Sequence, residues 1–212
     1  LDAIRPEKSL TYPDNRPLLC HDGKNLYIGF ETLFPTGARL VPGQKREAVE
    51  PDVWPDDSFE FHVDTGGKLY RFAGNAAGGY CESLDTGSEW DGEWQYVSTL
   101  EFRIDNRHHW QGEISIPFET LGIADPVGKD LRVNFCRTWR CFDEVGTTQL
   151  QAATQSYGDR EYFATIGPVA SAEGAILGGT TDPSFGDLRQ QLTLHSAQGG
   201  EYSYAIRAVN AS

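Results

Sequence analysis

The sequence has few basic residues and no apolar segment long enough to cross a membrane. Lysine and arginine together number 18 against 31 aspartates and glutamates, which gives a formal net charge of −13 at pH 7. A surface of this sign repels the phosphate backbone, so we do not expect nucleic acid as a partner. A membrane-spanning helix needs about 20 consecutive apolar residues, and no stretch approaches that length, so we expect no membrane insertion.

The motifs of common catalytic sites are also missing. The sequence contains no GxSxG, no HExxH and no phosphate-binding glycine loop, which excludes those routes to catalysis. Glu60 and Glu113 could act as the acid and base of a glycosidase, but nothing in the sequence sets them at the required separation. We therefore expect a protein that is not an enzyme.

Cysteine is scarce, and its spacing does not favour a zinc site. Cys20, Cys81, Cys136 and Cys141 include no CxxC pair, which disfavours a zinc ribbon. Two disulfides and buried thiols are both open interpretations, and one hypothesis is a bridge between Cys136 and Cys141 across a short loop. The chain begins at Leu1 with neither methionine nor a signal peptide, so we expect a mature or excised segment.

Short alternating segments separated by turn residues predict an all-β fold. The sequence holds 23 glycines and 11 prolines, and no long segment shows the 3.6-residue period of a helix. The clearest strand lies around residues 58–64, where Phe59, Phe61 and Val63 alternate with polar residues. Such strands, repeated along the chain, are typical of an antiparallel β-sandwich or barrel.

The turn residues Thr65–Lys68 predict that this strand returns as a hairpin. Pairing across the turn places His62 opposite Arg71, with Glu60 one diagonal away, on the face that does not enter the core. Trp54 lies four residues before the strand. The sequence therefore predicts a polar face with an acid, an arginine and a tryptophan at its edge. The buried pairs predicted for the same hairpin are Phe61 with Phe72 and Val63 with Tyr70.

Composition divides the chain into three parts. Residues 1–168 hold the predicted sandwich, in which 34–53 and 74–92 are predicted to be long loops. Residues 169–183 are rich in glycine and alanine, which is typical of a linker. Residues 184–212 contain two alternating segments that predict a C-terminal hairpin, either as edge strands of the sandwich or as the start of another module.

Five segments, in order and suitably spaced, resemble the sequence motifs of family 9 carbohydrate-binding modules, which are related to the DOMON-like superfamily. The segments read LYIGF, DSFEFHVD, WQGEISIPFETLG, LRVNFCR and YFATI, and they lie within roughly residues 18–168. The resemblance implies a jelly-roll-like β-sandwich that binds sugar without catalysis and often holds a structural calcium ion.

In this family the sugar lies between two aromatic side chains with polar groups around it. Trp54 matches the first aromatic residue, and Tyr157 falls near the second, which is typically tryptophan. Glu60 matches the family's acid and Arg71 its sugar-contacting arginine. Trp139, in a charged segment, is a candidate for a third aromatic contact.

Each of these residues also has a purely structural interpretation. Trp54 could cover the edge of the core rather than a sugar. Glu60 and Arg71 could form a cross-strand ion pair, which is the commoner role for such residues. Trp110, by contrast, shares the parity of Ile114 and belongs to the core.

Calcium is the cofactor that the sequence favours. Calcium takes oxygen ligands from flexible loops, and Asp56, Asp57 and Asp64 lie in or beside predicted loops, as do Asp85 and Asp91. The alternative is that these aspartates are turn residues, and that the acidic composition serves solubility alone.

Together these observations predict a non-catalytic carbohydrate-binding module of a secreted polysaccharide-acting protein, extracellular or periplasmic and attached to other modules. One alternative is a structural or protein-interaction β-sandwich without a sugar site. The other is a haem-binding electron-transfer domain, since related sandwiches bind haem. The chain contains no methionine, which excludes a methionine–histidine ligand pair but not a pair of histidines.

Overall fold

The computed structural model describes residues 17–34, 37–43, 52–87, 90–102, 107–141, 146–149, 156–166, 176–178, 191–195 and 201–205. Apart from one short 3-10 turn at Arg160–Tyr162, the regular structure of these residues is β-strand. None of the helical structure in these ranges is long and apolar enough to span a membrane. The chain forms two compact units, Leu1–Gly179 and Thr180–Ser212.

The strands of the first unit are β1 (Leu18–His21), β2 (Asn25–Leu33), β3 (Ser58–Asp64), β4 (Leu69–Asn75), β5 (Tyr80–Leu84), β6 (Gln95–Phe102), β7 (His108–Pro117), β8 (Leu131–Trp139), β9 (Gly146–Gln149), β10 (Ala164–Ile166) and β11 (Ile176–Gly178). A six-stranded sheet has the order β10-β8-β3-β4-β5, with β9 paired to β8. A five-stranded sheet has the order β11-β1-β2-β7-β6, and all pairings are antiparallel. The predicted all-β antiparallel sandwich is confirmed.

The central hairpin β3–β4 has the predicted register. Phe61 pairs with Phe72, and His62 pairs with Arg71. The odd-numbered apolar residues of β3 are completely buried between the sheets, as period-two alternation requires of a strand with one face in a core. At the turn, Gly66 has a φ of 87°, a conformation that only glycine adopts without steric cost.

Aromatic rings fill the space between the two sheets. Phe30 of β2 lies at the centre, with its ring centroid 5.3 Å from those of Phe59, Trp110 and Phe135. Contacts at this spacing add to the large area that each ring buries. Trp110 is completely buried, as its parity predicts.

One cation, Arg137 of β8, lies inside this aromatic core. Its guanidinium carbon is 4.1 Å from the Trp110 ring centroid and 4.4 Å from that of Trp139. Nη1 donates a hydrogen bond to Thr32 Oγ1 at 3.0 Å. Burial lowers the pKa of Arg137 to about 10, so the side chain remains charged at neutral pH and is stabilised chiefly by ring faces.

One strand lies where the sequence predicts a loop. Within 74–92, the segment Tyr80–Leu84 forms β5 at the edge of the six-stranded sheet. Its inward position Glu82 is polar, and this interrupts the alternation that would have indicated a strand. One oxygen of the buried carboxylate, Oε2, accepts a hydrogen bond from Trp94 Nε1 at 2.7 Å, so a tertiary contact stabilises the acid at this position.

The end of the chain contributes strands to both units. Ile176–Gly178, inside the segment predicted as a linker, pairs with β1. In the second unit, β12 (Gln191–His195) and β13 (Glu201–Ala205) form an antiparallel pair, where the sequence predicts a hairpin.

Candidate functional site

The outer face of the six-stranded sheet, meaning the side chains that point away from the sandwich core, carries the predicted polar group. Much of this face is buried rather than solvated. Five of its residues are between 0% and 4% exposed: Ser58, His62, Asp64, Asn134 and Cys136. Polar side chains buried to this degree are normally covered by another part of the chain.

The segment 156–163 provides cover for this face. Asn134 Nδ2 donates to the Tyr157 carbonyl at 3.0 Å, and the Phe163 ring lies edge-on to His62 with centroids 6.0 Å apart. The Tyr157 hydroxyl donates to the Arg137 carbonyl at 2.7 Å. Burial is the main cause that raises the pKa of Tyr157 well above its ordinary value, so the phenol remains a neutral donor.

Trp54 and Arg71 form the opposite side of the site. The Arg71 guanidinium carbon lies 4.9 Å from the Trp54 ring centroid, and both side chains are half-buried. The Trp54 carbonyl accepts a hydrogen bond from Arg140 Nη2 at 2.7 Å. Trp54 is therefore fixed at its backbone and at its ring, and it stands outside the core.

Glu60 lies between these two sides and pairs with a neighbour on its own strand. Glu60 Oε2 is 3.0 Å from His62 Nε2. Residues two apart on a strand share a face, so the contact between Glu60 and His62 follows from the sequence. The structural interpretation of the sequence had instead paired Glu60 with Arg71 across the hairpin. Across the hairpin, Glu60 faces the small, completely buried Ala73.

The sheet order brings four of the five predicted sugar-contacting residues to one face. The Tyr157 hydroxyl donates a hydrogen bond to a carbonyl of β8. Glu60 projects from β3 and Arg71 from β4, and β8, β3 and β4 are consecutive strands of the sheet. Adjacent strands lie about 4.8 Å apart, so β8 and β4 are separated by roughly 10 Å.

The fifth predicted residue, Trp139, requires a correction. Its side chain is completely buried, its Nε1 donates to Thr148 Oγ1 at 3.1 Å, and its ring packs edge-on against Phe34. Strand β8 runs on to Trp139 and keeps the inward parity of Phe135, so Trp139 belongs to the core and offers no surface to a ligand.

The three predicted calcium ligands bind nitrogen donors instead. Asp57 is buried and accepts three backbone N–H bonds, from Val41 at 2.7 Å, Arg140 at 2.8 Å and Cys141 at 3.2 Å. Burial raises the pKa of Asp57 although these bonds lower it. Asp57 thus ties the 37–43 loop to the end of β8.

The other two aspartates are similarly engaged. Asp64 accepts from Arg132 Nη1 at 2.9 Å, and Asp56 accepts from Asn75 Nδ2 at 3.0 Å. Over the part of the chain that the structure describes, no group of three or more His, Cys, Asp or Glu side chains is arranged to hold a metal. Calcium binding stays a prediction, and these three residues do not fit it.

Two other hypotheses from the sequence can be examined directly. Cys136 and Cys141 are both thiols rather than a disulfide. Cys136 points to the outer face, while Cys141 joins the core cluster. The predicted bridge is therefore wrong.

Glu60 and Glu113 lie on different sheets, and Glu113 is exposed on the outside of the five-stranded sheet. They do not converge on one site.

Sequence reasoning missed three residues that hold the predicted site residues in position. His62, Asn134 and Arg140 orient Glu60, Tyr157 and Trp54 respectively. The parity of His62 and Asn134 on their strands was a usable signal. Arg140 could not have been found, since its contact with Trp54 joins residues 86 apart in sequence.

Comparison with solved structures supports the fold. A crystal structure of a candidate carbohydrate-binding protein from Bacteroides uniformis superposes with a TM-score of 0.61 over 77% of this chain and 82% of that one, at 16% sequence identity. At this identity the likeness shows a shared β-sandwich fold. No family model matches the sequence, and no curated protein matches it. Membership of family 9 therefore stays a prediction.

Proposed function

We propose that this chain is a non-catalytic carbohydrate-binding β-sandwich that takes a sugar between Trp54 and Tyr157. One observation carries the proposal. Trp54, Arg71 and Tyr157 are half-buried and the Glu60 side chain is 13% exposed, on a face where Ser58, His62, Asn134 and Cys136 are almost fully buried. These four partly accessible side chains are an aromatic and polar set suited to a sugar.

The chemistry of these four side chains is complementary to a pyranose ring. Sugars present apolar C–H faces and many hydroxyls, so their sites combine flat aromatic rings with a few convergent polar groups. The Glu60 carboxylate accepts hydrogen bonds from hydroxyls, and the Arg71 guanidinium donates them. Trp54 and Tyr157 supply the apolar surfaces.

The strands beneath the four side chains give the proposed sugar a fixed floor. Because the hairpin is held by its buried pair Phe61 and Phe72, the floor of the site is ordered before binding, which lowers the entropic cost.

The likeness to a candidate carbohydrate-binding protein of similar fold supports this proposal without deciding it. Following the resemblance to family 9 modules, we also propose that the chain acts outside the cell or in the periplasm, as an accessory module of a polysaccharide-acting protein. A calcium ion, if bound, has a structural role.

A glycan array probed with the purified chain tests the proposal. We expect binding to a restricted set of oligosaccharides, confirmed by calorimetry in solution. Binding to none of a broad array would favour the structural or protein-interaction sandwich instead. A visible absorption band at about 400 nm, as a bound haem gives, in the purified or haem-supplemented protein would favour the electron-transfer alternative.

A further inference from the structure

We propose that the site selects anionic sugars, with Arg71 binding the carboxylate of a uronic acid unit. This inference deepens the proposed function and rests on it. Its basis is the position of Arg71, which lies over the Trp54 ring and has no carboxylate of the described residues within 4.0 Å.

Arg71 is a cation of the outer face that has no acidic partner among the residues that the structure describes. No carboxylate of those residues lies within 4.0 Å of its guanidinium, and its contact is with the Trp54 ring. This holds although the chain has 31 acidic residues against 18 basic ones.

The nearby carboxylates already have partners of their own. Glu60 lies 3.0 Å from His62 Nε2. Asp64 is held by two arginines, with Arg132 Nη1 at 2.9 Å and Arg160 Nη1 at 3.4 Å. Within the part of the chain that the structure describes, no carboxylate completes the charge balance at Arg71, and we propose that the ligand supplies one.

The other arginines of this face do have acidic partners. Arg132 and Arg160, whose side chains are 41% and 38% exposed, share Asp64, and Arg160 Nη2 also lies 3.2 Å from Asp85 Oδ1. Arg71 differs from both because none of the described carboxylates lies within ion-pair distance of it.

The geometry of Arg71 suits a carboxylate in particular. A guanidinium presents its N–H donors in a planar fork that matches the two oxygens of a carboxylate. The Arg71 guanidinium carbon lies 4.9 Å from the Trp54 ring centroid, and we propose that the donors of the guanidinium turn toward the ligand. The same indole that packs against the sugar would then hold Arg71 in the orientation needed for the acid group.

Stacking alone is the competing explanation, because long basic side chains often cover an apolar surface while their charge stays in water. In that case Arg71 would act as a prop for Trp54 and would not distinguish charged from neutral sugars. The two explanations differ in what happens when only the charge of the ligand is changed.

The experiment compares oligosaccharides of galacturonic, glucuronic and mannuronic acid with their methyl esters, by calorimetry at low and moderate salt. We expect at least one acid to bind about tenfold more tightly than its ester, with the difference shrinking as salt screens the charges. Arg71→Gln should abolish the preference while ester binding persists. Lys24→Gln makes the same change of net charge in the exposed β1–β2 turn and should leave the preference intact.

Each outcome bears on a different claim. Neutral glycans that bind with dependence on Trp54, while every acid binds no better than its ester, would overturn the anionic preference and leave the proposed function standing. A preference that Arg71→Gln retains would overturn the role of Arg71. If neither these ligands nor any array glycan binds, the proposed function itself fails.

Discussion

The guanidinium of Arg71 lies over the indole of Trp54, 4.9 Å from the ring centre. This contact joins Trp54, which precedes β3, to β4, the second strand of the central hairpin. It holds Trp54 above the outer face of the sheet, away from the core, and it explains why Arg71 does not pair with Glu60. The arrangement therefore differs from both structural interpretations of the sequence: Trp54 does not cover the edge of the core, and Arg71 does not form an ion pair with Glu60.

The first prediction separates the tryptophans by their role in stability. Trp110→Ala should lower the free energy of unfolding by about 3–5 kcal/mol, because it opens a cavity in the aromatic core. Trp54→Ala should lower it by about 1 kcal/mol or less, the loss of one partly exposed cation–π contact. Urea unfolding of both variants measures this difference. Equal destabilisation would place Trp54 in the core.

The second prediction separates the ring of Tyr157 from its hydroxyl. Tyr157→Phe removes the 2.7 Å hydrogen bond to the Arg137 carbonyl and should lower stability by about 1 kcal/mol, with glycan binding preserved. Tyr157→Ala should also lose binding, because it removes the apolar wall. If Tyr157→Phe abolishes binding in a folded protein, the hydroxyl rather than the ring contacts the ligand.

The central hairpin could be predicted from the sequence because its determinants are local. The alternation in β3 and the glycine turn fix which side chains pair and which face they share. These two features also placed Glu60 and Arg71 on the candidate site. Trp54 needed only its position before the strand.

Other features could not be predicted because they depend on contacts between distant segments. Trp139 is buried by Phe34 and Thr148, and nothing near it in sequence indicates that β8 continues so far. Glu82 is an acid at an inward position that only Trp94 makes acceptable. Alternating polarity along one strand does not show which distant residues will contact Trp139 or Glu82.

The third prediction concerns Asp57 and calcium. Asp57→Asn replaces one acceptor oxygen by an amide nitrogen that faces a backbone donor, and this should cost about 1–3 kcal/mol. The loss should be the same in chelator and in millimolar calcium, because Asp57 binds N–H groups. Asp91→Asn, at an exposed loop position, is the control and should have no effect. A calcium-induced rise in melting temperature that Asp57→Asn abolishes would make Asp57 a ligand.

The fourth prediction concerns the thiols of Cys136 and Cys141. Burial raises the pKa of both side chains, and both are buried, so they should react slowly with a thiol reagent in the folded protein. In a variant lacking Cys20 and Cys81, both should react rapidly after unfolding without reductant. Failure of either to react under those conditions would indicate the bridge that the structure lacks.

The most direct test of the central claim is the affinity of Trp54→Ala for the best glycan of the array, measured by calorimetry. We expect a loss of about 2 kcal/mol, or roughly thirtyfold, because one wall of the site is removed. Trp90→Ala is the matched control, since Trp90 is also half-buried but packs against Tyr70 and Phe72 on the core side; it should bind as the wild type does. A folded Trp54→Ala protein with wild-type affinity would contradict the account.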